Sequence, residues 1–169
     1  MKNKSLFIGL AVISFVLAGV VIWYGSMSVA KRMDMVTMRA RFEAAQKAES
    51  SGRRQAAATA YQLALMEYQK GLAKPGYYLD IAGDFLTAGN CFQKLGQLRA
   101  ALAAYEKGLQ KDPHSISLLT SAGLCSLQLG ELELAGTFLA HSRKIYPHDK
   151  RVNRALKKLK LQSPGKRGQ

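Results

Sequence analysis

The sequence predicts an all-α fold in which antiparallel helix pairs stack into a short solenoid. A repeat of 34 residues and a helical spacing of apolar side chains within each repeat support this prediction. Such a period is typical of helix-turn-helix units, each of which buries its apolar face only by stacking on the next unit. Function is therefore expected on a surface of the stack. The residues that recur at this interval are Gly89 and Gly123, Cys91 and Cys125, Gly96 and Gly130, Ala101 and Ala135, and Pro113 and Pro147.

The best-defined unit runs from Phe85 to Pro113. Its bulky side chains stand three or four residues apart with small residues between them, which describes one face of a helix. Gly96 is predicted to end the first helix in the left-handed conformation, and Leu98 to Lys111 are predicted to form the second. Pro113 then stops that helix.

Small residues are predicted where the two helices of this unit cross. Gly89 and Ala101 lack bulk, which lets the backbones approach, while Phe92 and Tyr105 fill the space to either side. At these residues the segment resembles the tetratricopeptide repeat family. The next unit keeps the same pattern, with Ser126 where an aromatic residue is usual; its matching residues are Leu119, Ala122, Gly123, Gly130, Ala135, Leu139 and Pro147.

Upstream, a degenerate repeat is predicted, in which Ala45 replaces the glycine of the helix crossing and no proline closes the unit. Its matching residues are Gly52, Ala57, Tyr61 and Ala64. Gly52 and Gly96 are 44 residues apart, ten more than the regular step, and the surplus is assigned to an enlarged connection over 70–79 with a turn at Pro75-Gly76. The resemblance covers 36–161 and implies about three helix-turn-helix repeats of an α-solenoid.

A capping helix is predicted after Pro147, because a solenoid needs a last helix that covers its exposed end. The apolar side chains of this amphipathic run are Val152, Ala155, Leu156 and Leu159. Residues 162–169 are predicted to form a basic, disordered tail.

The first thirty residues predict an N-terminal transmembrane helix. No charge stands between Lys4 and Lys31, and the apolar run from Leu6 to Trp23 gives 18 residues, or about 27 Å of helix, enough to span the hydrocarbon of a bilayer. Basic residues flank this run on both sides. The alternative for residues 1–30 is a cleaved signal peptide, because Ser28-Val29-Ala30 offers small residues at the positions that a signal peptidase inspects.

A short basic tail followed at once by an apolar run favours a signal anchor with a cytoplasmic N-terminus. The chain in this respect resembles bacterial single-pass, membrane-anchored tetratricopeptide repeat proteins. We therefore expect the repeat domain to lie on the periplasmic side of a bacterial inner membrane.

The net charge is +14, and the C-terminal end is a block of Lys and Arg with no acidic residue after Asp149. One interpretation is a solvated capping helix with a charged tail. The other is a binding surface, because the repeat pattern places Arg151, Arg154 and Lys158 on the concave side, where they could meet an acidic partner segment or anionic lipid headgroups.

The family resemblance implies that first-helix residues line a concave groove that binds a partner. Phe42, Leu86 and Leu124 are predicted sockets for apolar anchors, and Asn90 and Gln93 are predicted to bond a peptide backbone. Ordinary packing against a neighbouring helix is the alternative for these side chains. The other predicted partner-binding residues are Gln46, Lys94 and Thr120, together with the three basic residues of the capping helix.

Binding of a partner's C-terminal carboxylate, a known mode of the family, is not expected for this chain. Asn90 matches an asparagine that binds a partner's C-terminal carboxylate in some members. However, Leu86 stands where those members have a basic residue, and Phe42 occupies the equivalent place upstream. The groove is therefore predicted to bind its partner in another way.

An enzymatic function is not predicted. The three histidines, His114, His141 and His148, lie in turns or on a second helix, and no phosphate-binding loop, zinc-ligand spacing or paired-acid motif is present. No cofactor or metal is expected, and Cys91 and Cys125 are predicted to be small buried residues that form no disulfide.

The sequence as a whole predicts a non-catalytic scaffold or assembly factor that is anchored in the membrane and binds a protein segment. The alternative is a basic module that binds anionic lipid or nucleic acid. A periplasmic location would exclude nucleic acid.

Overall fold

The structure, a computed structural model, describes residues 16–22, 36–73 and 82–162, and all regular secondary structure in them is helical. Residues 16–22 form an exposed helical segment. The repeat region contains α1 (36–50), α2 (Arg54–Ala73), α3 (Ala82–Lys94), α4 (Leu98–Lys111), α5 (Ile116–Leu129), α6 (Leu132–Ile145) and α7 (Lys150–Gln162).

Consecutive helices pack as antiparallel pairs that stack along the chain. Hairpins α3–α4 and α5–α6 form the two regular repeats, α2 packs on α3, and α7 packs on both α5 and α6. Buried residues of α1, α2 and α3, among them Met38, Tyr61 and Phe85, share one core cluster. The predicted all-α solenoid with a terminal capping helix is thus confirmed for the described repeat region.

Each hairpin turns at a glycine in the left-handed region: Gly52, Gly96 and Gly130 have φ values of 73°, 76° and 79°. The backbone closes the helix end in the same way each time. At Gly96, the Gln97 N–H donates to the Phe92 carbonyl at 2.9 Å and the Gly96 N–H donates to the Gln93 carbonyl at 3.0 Å. This pair of hydrogen bonds satisfies backbone carbonyls that the helix would otherwise leave unpaired. The predicted end at Gly96 and the bounds of α4 are confirmed.

The helix crossings are closed by glycines that leave no room for a side chain. A Cβ on Gly89 would overlap the ring of Tyr105, and one on Gly123 would lie 2.6 Å from Leu139 Cγ. Tyr105 and Leu139 are both fully buried. The predicted close approach of the first and second helices in each unit is therefore confirmed.

The extra residues before α3 were predicted to form an enlarged connection. In the structure, part of this extra length belongs to α2. That helix has 20 residues, whereas α4 and α6 have 14 each. Tyr68, near its end, is 4% exposed and packs edge-on against the rings of Phe85 and Phe92, with centroids 6.2 and 6.3 Å away. This burial favours helix as far as Ala73. The predicted turn at Pro75-Gly76 lies outside the described residues.

Most of the predicted membrane anchor also lies outside the described residues, as do the Ser28-Val29-Ala30 site and residues 163–169 of the tail. In the part of the chain that the structure describes, no helix is both long enough and apolar enough to cross a bilayer. Gln162, predicted to begin the tail, is the last residue of α7.

Candidate functional site

A cleft of about 420 Å³ lies between the three first helices α3, α5 and α7. It brings together five of the predicted partner-binding residues from separate parts of the sequence: Gln93, Leu124, Arg151, Arg154 and Lys158. Leu127, Gln128 and Ala155 complete its lining. The equivalent helices of successive repeats therefore form one continuous recess.

The apolar part of this cleft belongs to the core that α7 seals. Leu124 and Leu127 are partly buried and pack against a cluster formed by Leu139, Val152 and Ala155. Because their inner atoms are held by the core, the exposed remainder presents a fixed apolar surface. Leu124 is thus both a packing residue and a lining residue, so the two interpretations of its role coexist.

Amide side chains form a hydrogen-bonded network beside this apolar surface. Gln93 donates from Nε2 to Gln128 Oε1 at 2.9 Å, and its Oε1 accepts from the Tyr105 hydroxyl at 3.0 Å. The same hydroxyl lies 2.9 Å from Asn90 Oδ1, so the two amide oxygens share its single proton. Gln93 is therefore engaged at both ends, whereas the amide nitrogen of Asn90 has no partner among the described residues.

One wall of the cleft is basic. Arg154 Nε donates to the Lys150 carbonyl at 3.1 Å, and Lys158 forms no ion pair with any residue in the described ranges. Arg151 lies 3.3 Å from Asp149, an acidic residue that precedes α7 and does not line the cleft. Among the described lining residues none is acidic.

Asp149 has a structural role at the start of α7. Its Oδ1 accepts from the Arg151 N–H at 2.7 Å and from the Val152 N–H at 3.4 Å, which caps the helix. Burial opposes its ionisation, but the hydrogen bonds from the backbone and guanidinium of Arg151 outweigh burial and lower the pKa of Asp149. This carboxylate fixes α7 and with it the basic wall.

The other predicted residues of α1 and α3, apart from Gln93, do not line this cleft. Phe42 packs on Tyr61, with ring centroids 5.9 Å apart, and Leu86 packs partly buried against the second core cluster. Lys94 pairs with Glu49 at 2.8 Å, and the hydrogen bond from Lys94 is the main cause of a lowered pKa of Glu49. Gln46 is exposed.

The position of Thr120 differs from the prediction. It was expected to line the groove, but it is 1% exposed and its hydroxyl lies 2.9 Å from the hydroxyl of Ser142 on α6. Two buried hydroxyls satisfy each other in this way, which removes the penalty of leaving either one unpaired. Thr120 therefore faces the second helix and not the cleft.

Leu127, a lining residue that was not predicted, could have been found from the repeat, because one step of 34 residues leads to it from Gln93. The sequence pattern does place Gln128 on the inner surface, one step after Lys94. The hydroxyl of Tyr105 had no such signal, because the sequence predicted only that its ring fills the crossing. Its position between the amide oxygens of Asn90 and Gln93 depends on the depth at which α4 packs.

The reactive side chains form no catalytic arrangement in the described residues. Cys91 and Cys125 are free and fully buried, and burial raises the pKa of the Cys91 thiol to about 12. The His114 and His141 rings meet edge to face at 5.6 Å. In the described segments, no three His, Cys, Asp or Glu side chains are grouped to hold a metal ion.

Comparison with known structures finds the same fold in several repeat domains. The second tetratricopeptide repeat domain of human RPAP3, solved in complex with an HSP70 peptide, aligns with a TM-score of 0.57 and 15% identity over 77% of this chain and 98% of its own. The Arabidopsis OM64 domain aligns with a TM-score of 0.56 and 16% identity over 76% and 98% of the two chains.

A bacterial protein also shares the fold. The type III secretion chaperone SycD of Yersinia enterocolitica, solved with a peptide of the translocator YopD, aligns with a TM-score of 0.52 and 23% identity over 75% of this chain and 95% of its own. No curated protein matches the sequence.

The model of the tetratricopeptide repeat family matches residues 93–159, which include all five of the predicted residues in the cleft. The match omits α1, α2 and all but the last two residues of α3. This fold is generally a non-enzymatic module for protein interaction. Residues 93–159 therefore match the tetratricopeptide repeat family, and the helices that precede them continue the same fold.

Proposed function

We propose that this chain is a non-catalytic interaction module that holds a segment of a partner protein in the cleft between α3, α5 and α7. The observation that carries the proposal is a recess with a fixed apolar surface and a few convergent polar groups. Its volume of about 420 Å³ lies within the range of roughly 300–1,000 Å³ that is usual for ligand sites.

A bound segment would use two kinds of contact. An apolar side chain packs on Leu124 and Leu127, and the free amide nitrogen of Asn90 donates to a backbone carbonyl where the segment continues along α3. The peptide complexes of SycD and the RPAP3 domain support the binding of a protein segment, because both proteins share the fold of this chain.

Filling the cleft with a bulky side chain tests the site. We expect Gln128→Trp to reduce capture of the natural partner from detergent-solubilised membranes by at least about tenfold, a loss of about 1.4 kcal/mol, because Gln128 is exposed and lines the recess. Binding would be measured by affinity purification of the full chain and quantitative mass spectrometry.

The matched control is Gln110→Trp, the same substitution at an exposed glutamine of the second helix α4 that does not line the cleft. It is expected to retain the partner. Equal capture by both variants would place the interaction elsewhere on the chain.

Membrane attachment forms the second part of the proposal. Residues 1–30 would anchor the chain in a bacterial inner membrane, with the repeats on the periplasmic side, where they assist assembly of an envelope complex. The uncharged stretch between Lys4 and Lys31 supports this part.

A reporter fusion tests the topology. Alkaline phosphatase joined after Gln169 is expected to be active in living bacteria, because this enzyme acquires its disulfides only outside the cytoplasm. A fusion to a cytoplasmic reporter at the same residue serves as the reciprocal control. An inactive phosphatase with an active cytoplasmic reporter would reverse the orientation.

A further inference from the structure

We propose that α7 is a recognition helix as well as a cap, and that its basic wall makes the cleft select an acidic partner segment that also carries an apolar side chain. This inference rests on the proposed function and adds the chemistry of the partner. It assigns specificity to Arg151, Arg154 and Lys158, which converge on one recess from a single helix.

The distribution of charge along the first helices supports this assignment. On α1 and α3 three of the four basic side chains have an acidic partner: Arg39 pairs with Asp84 at 2.7 Å, Arg41 with Glu67 at 3.4 Å and Lys94 with Glu49 at 2.8 Å. On α7 only Arg151 among the three cleft cations has an acidic partner, Asp149 at 3.3 Å, and that residue does not line the cleft. Lys158 has no ion pair in the described residues, and Arg154 bonds only a backbone carbonyl.

Uncompensated charge of one sign in a recess attracts the opposite charge more strongly than the same charge on an open surface, because the surrounding protein reduces screening. An anionic group in the cleft would relieve repulsion between the three cations and gain charge-assisted hydrogen bonds. The selected ligand is therefore anionic.

The shape of the site favours a peptide over a bilayer. Leu124, Leu127 and Ala155 share the recess with the cations, so the ligand must present apolar and anionic groups at the same depth. A planar membrane surface cannot enter a cleft between three helices. It would instead meet Lys150, Lys157 and Lys160, which are exposed and do not line the cleft.

The run Glu131-Leu132-Glu133-Leu134 is folded at the start of α6, where Glu131 pairs with Arg99 at 3.3 Å, so the chain offers no free segment of this chemistry among its described residues. Its 25 Lys and Arg outnumber its 11 Asp and Glu, and residues 163–169 contain basic but no acidic side chains. A second copy, with a net charge of +14, would be repelled by the basic wall. The occupant is therefore a segment of a different protein.

The spacing on α7 defines the motif more closely. Arg151 and Lys158 lie about 10 Å apart along the helix axis, at about 1.5 Å per residue. An extended peptide advances about 3.3 Å per residue, so carboxylates about three residues apart can reach both side chains. We expect a segment with two or more Glu or Asp within such a span and a Leu-sized residue beside them.

Charge reversal on the two sides of α7 tests the inference with equal changes in net charge. The inner variant is R151E/R154E/K158E and the outer variant is K150E/K157E/K160E; each lowers the net charge from +14 to +8. The neutral variant R151Q/R154Q/K158Q is a second inner variant, in case reversal impairs folding, which circular dichroism would report.

Binding would be measured by fluorescence anisotropy on the full chain in mild detergent. The probes are a labelled peptide of alternating Glu and Leu and a matched peptide with Gln in place of Glu. Glycerol phosphate, the headgroup chemistry of an anionic lipid, serves as a competitor at the same concentration as unlabelled peptide.

We expect both inner variants to weaken binding of the Glu peptide by at least about tenfold and the outer variant by no more than about threefold, because contact charges act far more strongly than distant ones. The Gln peptide should bind at least about tenfold more weakly than the Glu peptide. Binding should also weaken as salt is raised.

Each other outcome has a distinct meaning. Equal losses in the inner and outer variants would overturn the inference in favour of net charge alone, and full competition by glycerol phosphate would overturn it in favour of a headgroup site. Equal affinity for the Glu and Gln peptides would overturn it while leaving the proposed function intact. Binding of neither peptide would overturn the inference, and unaltered partner capture by Gln128→Trp would remove the proposed function as well.

Discussion

Replacing Arg39 with alanine is expected to lower the free energy of unfolding by about 3 kcal/mol, the cost of leaving a buried charge without its partner. Asp84 is 1% exposed, and its Oδ1 accepts from Arg39 Nε at 3.1 Å and Nη2 at 2.7 Å. No other described side chain forms an ion pair with Asp84. This pair joins α1 to α3, so its loss also loosens the attachment of the degenerate repeat.

Two variants separate this explanation from a general effect of removing arginine. Arg99→Ala removes a guanidinium whose side chain is 83% exposed and that pairs with Glu131 at 3.3 Å, so its cost is expected to be within about 1 kcal/mol. The double variant R39A/D84A removes both charges and should recover most of the loss. Chemical denaturation of the full chain, followed by circular dichroism, measures all of them.

An R39A variant that is no less stable than R99A would contradict the prediction. So would a double variant less stable than R39A alone, since removing the unpaired carboxylate should relieve its desolvation. Asp84→Ala alone is expected to cost less than R39A, because the Arg39 side chain is 46% exposed and water can solvate the charge that remains.

The helices of the regular repeats could be predicted because their ends depend on local chemistry. Gly96 and Gly130 adopt the left-handed conformation at the hairpin turns, and few residues other than glycine do so readily. The length of α2 could not be predicted in this way. It depends on the contact of Tyr68 with the rings of Phe85 and Phe92, which are supplied by the next repeat.

The site was predictable to the extent that the repeat step conserves backbone position. Leu86, Thr120 and Arg154 occupy equivalent places on α3, α5 and α7, yet they are respectively partly buried, fully buried and exposed. The difference for Thr120 comes from Ser142 on the neighbouring helix. A repeat pattern fixes where a side chain starts, but the partner across the interface decides whether it reaches the cleft.

The ion pair of Arg39 and Asp84 had no signal in the sequence for a different reason. The two residues are 45 apart and flank the irregular interval between the first and second units. Because that interval departs from the 34-residue step, the register of α1 against α3 cannot be extrapolated from the later repeats. The structure is needed to bring these charges together.

Adding one methyl group at Gly89 is expected to destabilise the fold by about 2 kcal/mol. Alanine normally favours a helix over glycine by about 1 kcal/mol, but here its Cβ would overlap the ring of Tyr105. That ring is fully buried and its hydroxyl bonds Asn90 and Gln93, so it cannot move aside without disturbing the core. Overpacking of this kind costs about 1–3 kcal/mol and outweighs the gain in helix propensity.

Gly136→Ala provides the matched control, because Gly136 lies inside α6 and its added Cβ would meet Leu159 Cδ2 at an ordinary contact distance of 3.4 Å. This variant is expected to be more stable than the natural chain by about 0.5–1 kcal/mol. The two glycine variants should therefore shift the denaturation midpoint in opposite directions. Shifts of the same sign would mean that the clash at Gly89 is relieved by small movements of α4, and that the crossing is less tightly packed than the buried Tyr105 ring indicates.

If the added Cβ instead displaces the Tyr105 ring, Gly89→Ala should also weaken peptide binding, because the Tyr105 hydroxyl orients the groove amides of Asn90 and Gln93.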